Sequence, residues 1–316
     1  MSPELMHIYQ HLANGECLNG AALAEELGIT RAAIWKRIRA LRQLGLAIGG
    51  SAGEGYRLAQ PIEPLNASLI AAETTYAGVD LQVAGAVAST NRQLIGQGTP
   101  HATALVAEAQ TAGRGRRGRG WSSPLGGGVY LSLGWRFESG LAGLAPLSLV
   151  VGVTAAGLLR GLGPAAVQVK WPNDLVIGNA KLGGCLVEVS GAAEGPCRAV
   201  VGCGINLIAP DPATIDQPCT GLMVHGCPIG RNVLAGRLID ALARALATFD
   251  RTGFAPFHGQ WNRLDALRDR RVRVERAQDE TIDGVAAGVD SSGRLLIRSS
   301  AGTLPIAGGE VSVRAD

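Results

Sequence analysis

Four glycines and four arginines share the segment Gly-Arg-Gly-Arg-Arg-Gly-Arg-Gly at residues 113–120. It lies between two apolar runs, 104–109 and 128–134, that are typical of core strands. Glycine lets the backbone pass close to a ligand, and arginine presents a planar fork that suits phosphate or carboxylate. The segment is not a P-loop, because the Gly-Lys-Ser/Thr ending is missing. Two interpretations stay open: a mobile loop that closes over an anion, or a solvated basic loop that binds nucleic acid.

Three more blocks of polar residues could contribute to one site. They are Ser-Thr-Asn at 89–91, Lys-Trp-Pro-Asn-Asp at 170–174 and Lys-Leu-Gly-Gly at 181–184. Each also has a structural interpretation. Ser, Thr and Asn are common helix N-caps, and Lys170 could simply pair with Asp174 in the core, since buried lysines are normally paired. For the first block both roles are compatible, because a helix N-terminus presents spare N–H donors.

These four blocks, in this order and at this spacing, resemble the biotin–protein ligase family. The resemblance covers nearly the whole chain and includes a DNA-binding front end, as in the bifunctional bacterial members that repress the biotin operon. It implies that the chain uses ATP and Mg²⁺ to convert biotin into biotinyl-5'-adenylate, and passes the biotinyl group to a lysine of a biotin carboxyl carrier protein. With the adenylate as corepressor, the chain would bind operator DNA as a homodimer and repress biotin synthesis.

The resemblance also implies roles for particular residues, each carried over by motif. Those expected to bind biotin or its adenylate are Ser89, Thr90, Asn91, Gln110, Arg114, Gly115, Arg116, Trp121 and Lys181. Activation brings an anionic carboxylate close to an anionic triphosphate, so fixed positive charge should make the largest single contribution to lowering the barrier. Lys181 and Arg116 are the expected catalytic residues. Asn173, Asp174 and Asn206 are expected on the nucleotide side, with Mg²⁺ carried by ATP and no set of protein side chains assigned as its ligands.

One loop departs from the family. Repressor-type members can place an aromatic side chain around 215–222 to cover the adenine ring, whereas this chain has no aromatic residue there. Either Leu222 or Met223 then supplies an apolar lid, or the adenylate is held more loosely. A loosely held adenylate would couple ligand binding less tightly to DNA binding.

Residues 1–62 predict a winged helix-turn-helix domain. Its apolar residues have the spacing of two short helices, with Gly28 at the turn and Thr30 as the cap of the second helix. No acidic residue occurs between Glu26 and Glu54, so the second helix is locally cationic. Its residues predicted to contact DNA are Arg31, Lys36, Arg37 and Arg39. The glycine-rich stretch that follows predicts the wing, and the alternative is a small helical dimerisation or lid domain.

The rest of the chain predicts two further domains, which places the whole in the α+β class. Residues 65–268 predict a catalytic domain with a mixed sheet and helices on one face, class II synthetase-like by the family resemblance. Its predicted strand at 166–169 continues through the Lys-Trp-Pro-Asn-Asp block into 175–177. Short alternating runs predict a small β-barrel over 269–316, SH3-like by the same resemblance.

Composition limits the function classes. A net charge of +3, from 29 basic and 26 acidic residues, is too near balance for a general polyanion binder, so DNA contact must come from local charge. Six cysteines without a C-x-x-C pair, and no secretory leader, predict reduced thiols in a cytoplasmic protein. The uncharged stretch between Glu138 and Arg160 could span a bilayer, but its small residues and Pro146 favour a core helix that ends near Gly161. No membrane partner is expected.

Two other functions fit parts of the sequence. A pure ligand-sensing repressor would have lost catalysis, against which Lys181 and the intact arginine loop argue. A lipoate–protein ligase shares the fold of this family but carries different motifs. The arginine–glycine loop followed by Lys-Trp-Pro-Asn-Asp favours biotin.

Overall fold

The computed structural model describes residues 1–51, 53–163, 166–212, 215, 217–275, 281–300, 302–307 and, as backbone, 312–315. Three sheets follow one another along the chain, with two, seven and five strands. Each sheet has at least one α-helix in contact with it. The α+β class predicted from the sequence is confirmed.

The N-terminal region is a three-helix unit with a β-hairpin. Its elements are α1 (Pro3–Ala13), α2 (Gly20–Glu26), α3 (Arg31–Gln43), β1 (Ile48–Ser51) and β2 (Gly55–Leu58). Gly28, with a φ of +61°, makes the turn between α2 and α3. The side chain of Thr30 accepts a hydrogen bond from the Ala33 N–H and so caps α3. The predicted helix-turn-helix and its hairpin wing are confirmed.

A seven-stranded mixed sheet forms the centre of the molecule, in the order β3-β4-β5-β9-β8-β7-β6. The strands are β3 (Asp80–Val87), β4 (Thr103–Gln110), β5 (Gly128–Phe137), β6 (Gln168–Lys170), β7 (Asp174–Ile177), β8 (Ala180–Gly191) and β9 (Cys197–Asn206). β3 and β4 run parallel, and the other neighbouring pairs run antiparallel. The predicted mixed sheet is confirmed.

Helices cover both faces of this sheet, so the prediction that they lie on one face is wrong. The main core lies under α4 (Ala67–Ala72), α6 (Leu147–Leu162), α7 (Arg231–Thr252) and α8 (Ala255–Leu264). On the opposite face, α5 (Thr90–Gly96) packs through Leu94 against Leu105 and Val200. Consecutive strand residues point to opposite faces, so Ala104 faces the main core while Leu105 faces α5. The continuous apolar run of β4 is the pattern of a strand covered on both sides.

The predicted strand through the Lys-Trp-Pro-Asn-Asp block is instead two strands. β6 and β7 pair antiparallel, with Lys170 opposite Asp174, and the chain reverses between them. Proline has no N–H and a fixed φ, so Pro172 does not continue a ladder. The indole N–H of Trp171 donates to the carbonyl of Gly293 at 3.1 Å, which ties the turn to the C-terminal region. The reversal brings Asp174 alongside β8.

The segment that could span a bilayer is a core helix in this structure. By length and composition, Leu141–Leu162 is apolar enough to cross a membrane. Its helical part, α6, begins directly after Pro146 and packs against α7, α8 and β8. Val150 and Val153 are fully buried there. Burial in the core accounts for the composition of this helix.

The C-terminal region is a five-stranded antiparallel sheet in the order β13-β12-β11-β10-β14. Its strands are β10 (Arg271–Glu275), β11 (Thr281–Val289), β12 (Leu295–Ser299), β13 (Gly302–Ile306) and β14 (Ser312–Ala315). The short strands predicted over 269–316 are present, although residues 276–280, 301, 308–311 and 316 lie outside the described residues. The preceding helix, α8, ends at Leu264, and the Asp265 carboxylate turns back to accept the Leu267 N–H.

A buried ion pair joins the N-terminal helices to the central sheet. Glu108 of β4 and Arg231 of α7 pair at 2.7 Å, with side chains only 1% and 2% exposed. The hydroxyl of Tyr9 in α1 donates to the same Glu108 carboxylate at 3.0 Å, and Arg231 donates to the Glu63 carbonyl at 2.8 Å. A carboxylate removed from water is stable only with such partners. The N-terminal unit is therefore fixed to the strand that ends at Gln110.

Candidate active site

A cleft of about 920 Å³ lies on the α5 face of the central sheet, and the four polar blocks of the sequence meet in its walls. The predicted site residues that line it are Ser89, Thr90, Asn91, Gln110, Arg114, Gly115, Arg116, Trp121, Asn173, Asp174 and Lys181. Asn206 is placed differently: its side chain is buried, and its amide donates to the Thr220 carbonyl at 3.2 Å. Asn206 therefore positions the neighbouring loop.

The N-terminus of α5 forms one end of the cleft. Ser89 caps the helix, its hydroxyl accepting from the Arg92 N–H, as the structural interpretation predicts. The N–H and hydroxyl of Thr90 both donate to the Gln110 side-chain oxygen, at 2.9 and 3.2 Å. Ser132 of β5 donates to the Thr90 hydroxyl at 2.7 Å. Uncharged donors and acceptors are thus held in fixed orientations, which suits a neutral polar ligand group.

Glu188 links this network to the arginine–glycine loop. The Asn91 amide donates to one Glu188 oxygen at 2.9 Å, and the Arg114 guanidinium lies 3.6 Å from the other. Sequence reasoning missed both Glu188 and Ser132. A signal was present, since each is a polar residue within an apolar strand, and a buried polar group implies partners.

Two glycines of β9 leave the cleft floor bare. A Cβ on Gly202 would lie 2.5 Å from the Asn91 side-chain oxygen, and one on Gly204 would lie 2.6 Å from the Trp121 indole nitrogen. Any side chain at these positions would displace Asn91 or Trp121. The glycines therefore allow α5 and Trp121 to approach the sheet closely.

The arginine–glycine loop is folded as a compact turn at the cleft. The backbones of Arg114 and Gly120 pair as an isolated antiparallel β-bridge, and the Gly115 N–H donates to the Arg119 carbonyl at 2.8 Å. Burial, and secondarily the charge of Arg117, lowers the pKa of Arg116, while Asp174 raises it. A guanidinium stays protonated even so, and an anion in the cleft would offset its lost hydration. The position of these cations in a cleft wall favours the anion-binding interpretation of the loop.

Lys181 and Asp174 form an ion pair in the cleft wall. The Lys181 ammonium lies 2.7 Å from an Asp174 carboxylate oxygen and 5.5 Å from the centre of the Trp121 ring. Both side chains are mostly buried, at 17% and 22% exposure. Lys170, for which a pairing with Asp174 was the structural interpretation, lies opposite Asp174 in the register of the β6–β7 hairpin. Lys181 is thus a cation held in the cleft by one carboxylate, poised to interact with a second anion.

The loop around 215–222, where the family can place an aromatic side chain, contributes one amide side chain and one proline to the cleft wall. Gln217 and Pro218 line the cleft, and the Lys181 N–H donates to the Pro218 carbonyl at 2.8 Å. Leu222 is fully buried in the main core, which disfavours it among the alternatives for an apolar lid. Met223 is 52% exposed. Residues 213, 214 and 216 of this loop lie outside the described residues.

The basic residues of α3 divide between two faces. Arg31, Lys36 and Arg39 are exposed, whereas Arg37 is half-buried and lies 3.8 Å from Glu4 of α1. The exposed face also carries Trp35, with the Arg39 guanidinium 5.6 Å from its ring centre. The residues that could reach a phosphate backbone are therefore those of the exposed face.

Comparisons with known proteins match each region. Residues 85–206 match the family described as Biotin/lipoate A/B protein ligase family. Residues 4–57 match an HTH domain, and residues 269–314 match the Biotin protein ligase C terminal domain. A helix-turn-helix unit ahead of a ligase domain is the combination seen in the fold.

Individual relatives align with this chain over most of their own length. The "Bifunctional ligase/repressor BirA" of Escherichia coli (strain K12) is 41% identical over 308 residues, which cover 96% of this chain and 95% of that protein. The "Biotin--[acetyl-CoA-carboxylase] ligase" of Paracoccus denitrificans is 35% identical over 66% of this chain and 88% of its own. The solved structure "Biotin protein ligase from Aquifex aeolicus in complex with biotin and ATP" superposes with a TM-score of 0.66 at 29% identity, over 75% of this chain and 99% of that one. The chain belongs to the biotin protein ligase family.

Proposed function

We propose that this protein activates biotin with ATP, attaches it to a lysine of a biotin carboxyl carrier protein, and represses transcription through its helix-turn-helix unit. The observation that carries the proposal is the meeting of three chemistries in one cleft. A neutral hydrogen-bonding network at α5, an arginine-rich turn and the Lys181 ammonium all line it. Biotin offers the matching groups, since its ureido ring is neutral and polar and its carboxylate must meet the α-phosphate of ATP.

The α5 end of the cleft suits the ureido ring. Thr90 and Gln110 are oriented by each other and by Ser132, while Asn91 is oriented by Glu188. Pre-oriented groups lose little entropy when a ligand binds, so this end supplies affinity and places the biotin tail toward Trp121.

Activation is the attack of the biotin carboxylate on the α-phosphorus of ATP. A carbon-linked oxygen forms the new bond to phosphorus, the bond to the bridging oxygen breaks, and pyrophosphate leaves. The barrier is dominated by repulsion between two anions, which fixed cations in a water-poor cleft reduce. Lys181 and Arg116 are the residues we assign to this role, because both lie in the cleft wall and the Lys181 side chain is mostly buried.

Mg²⁺ fits the cleft as a companion of ATP. Asp174 is the one carboxylate among the described residues that line it, and it is already paired with Lys181. Mg²⁺ commonly binds through one or two carboxylates together with substrate phosphates. We assign Asp174 and the nearby Asn173 amide to the metal side, where the ion would neutralise phosphate charge.

Transfer completes the reaction. The uncharged amine of the carrier lysine attacks the acyl carbon of the adenylate, a carbon–nitrogen bond forms, the carbon–oxygen bond to phosphate breaks, and AMP leaves. The amine loses one proton to solvent. The chain's own contribution is to hold the adenylate until the carrier arrives, and the arginine–glycine loop is placed for that.

The ligase proposal is tested by incubating the protein with ATP, Mg²⁺, a carrier domain, and either biotin or lipoate, and then weighing the carrier. We expect the mass of one biotinyl group to be added in the biotin arm alone. A carrier whose target lysine is replaced by arginine is the control and should stay unmodified. Addition of lipoyl instead, or release of no pyrophosphate from ATP and biotin, would overturn the assignment.

DNA binding should depend on the exposed face of α3. Arg39→Ala and Lys36→Ala are each expected to weaken binding to an operator upstream of biotin-synthesis genes. Each should also reduce the slope of log affinity against log salt by about 1 for every phosphate that the variant no longer neutralises. Gel shifts at several salt concentrations measure both quantities.

Arg251→Ala removes one exposed positive charge from α7 and is the matched control, expected to leave the slope unchanged. Binding should also tighten when biotinyl-5'-adenylate is added, because we propose that the protein occupies the operator as a homodimer with this corepressor. Equal slopes for the α3 variants and the control would show that α3 does not contact the phosphates.

A further inference from the structure

We propose that the N-terminal unit carries a site for a divalent transition metal, formed by His7, His11 and Glu26. Among the residues that the structure describes, these three form the one group of His, Cys, Asp and Glu side chains whose ligand atoms converge, all within 4.8 Å of one another. The site is on the surface of the helix-turn-helix unit and is separate from the cleft. Nothing in the ligase or repressor activity requires it.

The two histidines are placed by helical geometry. Residues four apart on a helix lie on the same face, so His7 and His11 of α1 project together, with ring centres 4.5 Å apart. Two histidines at this spacing are a recurrent way to hold zinc on a helix. Glu26 ends α2 and reaches across to both rings. The ligands therefore come from two helices.

The distances fit a metal with small adjustments. One Glu26 carboxylate oxygen lies 2.8 Å from His7 Nε2 and 3.9 Å from His11 Nε2. Zinc–ligand bonds of about 2.0–2.1 Å in a tetrahedral site place neighbouring ligand atoms roughly 3.4 Å apart. The two observed separations lie on either side of that value, so shifts of about half an ångström in these exposed side chains would bring the carboxylate oxygen to that distance from both histidine nitrogens.

Glu16 supplies the support that such a site needs. Its carboxylate lies 3.5 Å from His11 Nδ1, the ring nitrogen that does not face Glu26. Histidines that bind metals almost always donate their second N–H to a carboxylate or carbonyl, which fixes the ring and its tautomer. A carboxylate behind one histidine and another between the two rings is more than a surface ion pair requires.

Two imidazoles and a carboxylate favour zinc, with nickel and copper as chemical competitors. All four side chains are at least one-third exposed, so water can complete the coordination. A bound ion would join α1 to the end of α2, directly before the Gly28 turn that leads to the DNA-facing helix. The expected consequence is a more stable N-terminal unit when metal is present.

The probes are Zn²⁺ and Co²⁺, each titrated into the full-length protein without a histidine tag after treatment with a chelator. We expect one ion per chain, a rise of several degrees in the midpoint of thermal unfolding with Zn²⁺, and a visible Co²⁺ spectrum without a thiolate charge-transfer band. Calorimetry, unfolding curves and absorbance report these without any assay of ligation.

Matched variants locate the ion. Glu26→Gln and His11→Gln are expected to weaken Zn²⁺ binding at least tenfold, whereas Glu25→Gln removes the same charge from the adjacent exposed position and should have no effect. Glu16→Gln should weaken binding less than loss of a direct ligand. Cys17→Ser should leave the affinity unchanged, although this thiol is exposed and is the neighbour of Glu16.

Three results would overturn the proposal. They are no Zn²⁺ binding, equal loss from Glu25→Gln and Glu26→Gln, or loss of binding in Cys17→Ser with a thiolate band in the Co²⁺ spectrum. Because the substituted side chains are partly exposed, the variants should fold, and their metal-free unfolding curves verify this. A low affinity caused by misfolding is thereby distinguished from the loss of a ligand.

Discussion

Lys181→Ala should lower the rate of biotin-dependent ATP–pyrophosphate exchange by roughly 100- to 1,000-fold, the range found when one preorganised group that stabilises developing charge is removed. Biotin binding should change far less, because the ammonium matters most when the carboxylate and the α-phosphate meet. The comparison needs the exchange rate and the biotin affinity of the same preparation. An exchange rate within a few-fold of the unaltered protein would show that Lys181 does not act in activation.

The Lys181–Asp174 pair calls for a second variant. Removing the ammonium leaves the Asp174 carboxylate, 2.7 Å away in the native pair, without that partner in a mostly buried position. The lower activity could then arise from an added negative charge near the triphosphate. Lys181→Ala combined with Asp174→Asn removes that charge. We expect the double variant to remain inactive in exchange, and recovery would assign the effect to Asp174.

Arg116→Gly should damage retention of the adenylate more than its synthesis. Arg116 lies in the cleft wall with its pKa lowered mainly by burial, and an anion beside it would offset that cost. A charge-assisted hydrogen bond contributes roughly 1.5–3 kcal/mol, so its loss should speed release of the adenylate by about ten- to a hundred-fold. The released mixed anhydride would acylate exposed lysines on any nearby protein. Incubation with ATP, biotin and an unrelated lysine-rich protein, followed by detection of attached biotin, measures this.

Arg117→Gly is the matched control for loop flexibility. Arg117 has a φ of 58°, in the left-handed region that glycine accepts readily, so the exchange removes a charge without straining the turn. If Arg116 holds the phosphate, stray labelling should rise with Arg116→Gly and much less with Arg117→Gly. If labelling with Arg116→Gly is no greater than with the unaltered protein, Arg116 does not hold the phosphate, and Arg114 or Arg117 becomes the candidate.

Local features of this chain were predictable from its sequence because their causes are local. Gly28 marks the turn before α3, and Thr30 caps that helix, since both act within a few residues. The apolar stretch after Pro146 was identified as a core helix from its length and small residues. The winged helix-turn-helix unit, the mixed sheet and the C-terminal strands follow from such signals, and each of the four motif blocks contributes residues to the cleft wall.

Long-range pairings were decided by the tertiary structure. Glu108 meets Arg231 and Tyr9 only because the sheet, α7 and α1 are packed together, and no local pattern indicates which buried cation a carboxylate will find. Lys181 meets Asp174 because the chain reverses between β6 and β7 and brings Asp174 alongside β8.

Packing between elements distant in sequence also explains the remaining differences between the sequence-based predictions and the structure. Leu222 is in the main core and not over the cleft, because burial depends on the packing of the whole domain. Periodicity indicates that a residue is apolar or exposed, but not which face of the sheet it meets, so the position of α5 opposite the other helices was missed. His7 and His11 share a face by helical spacing alone, whereas only the packing of α2 on α1 brings Glu26 between them.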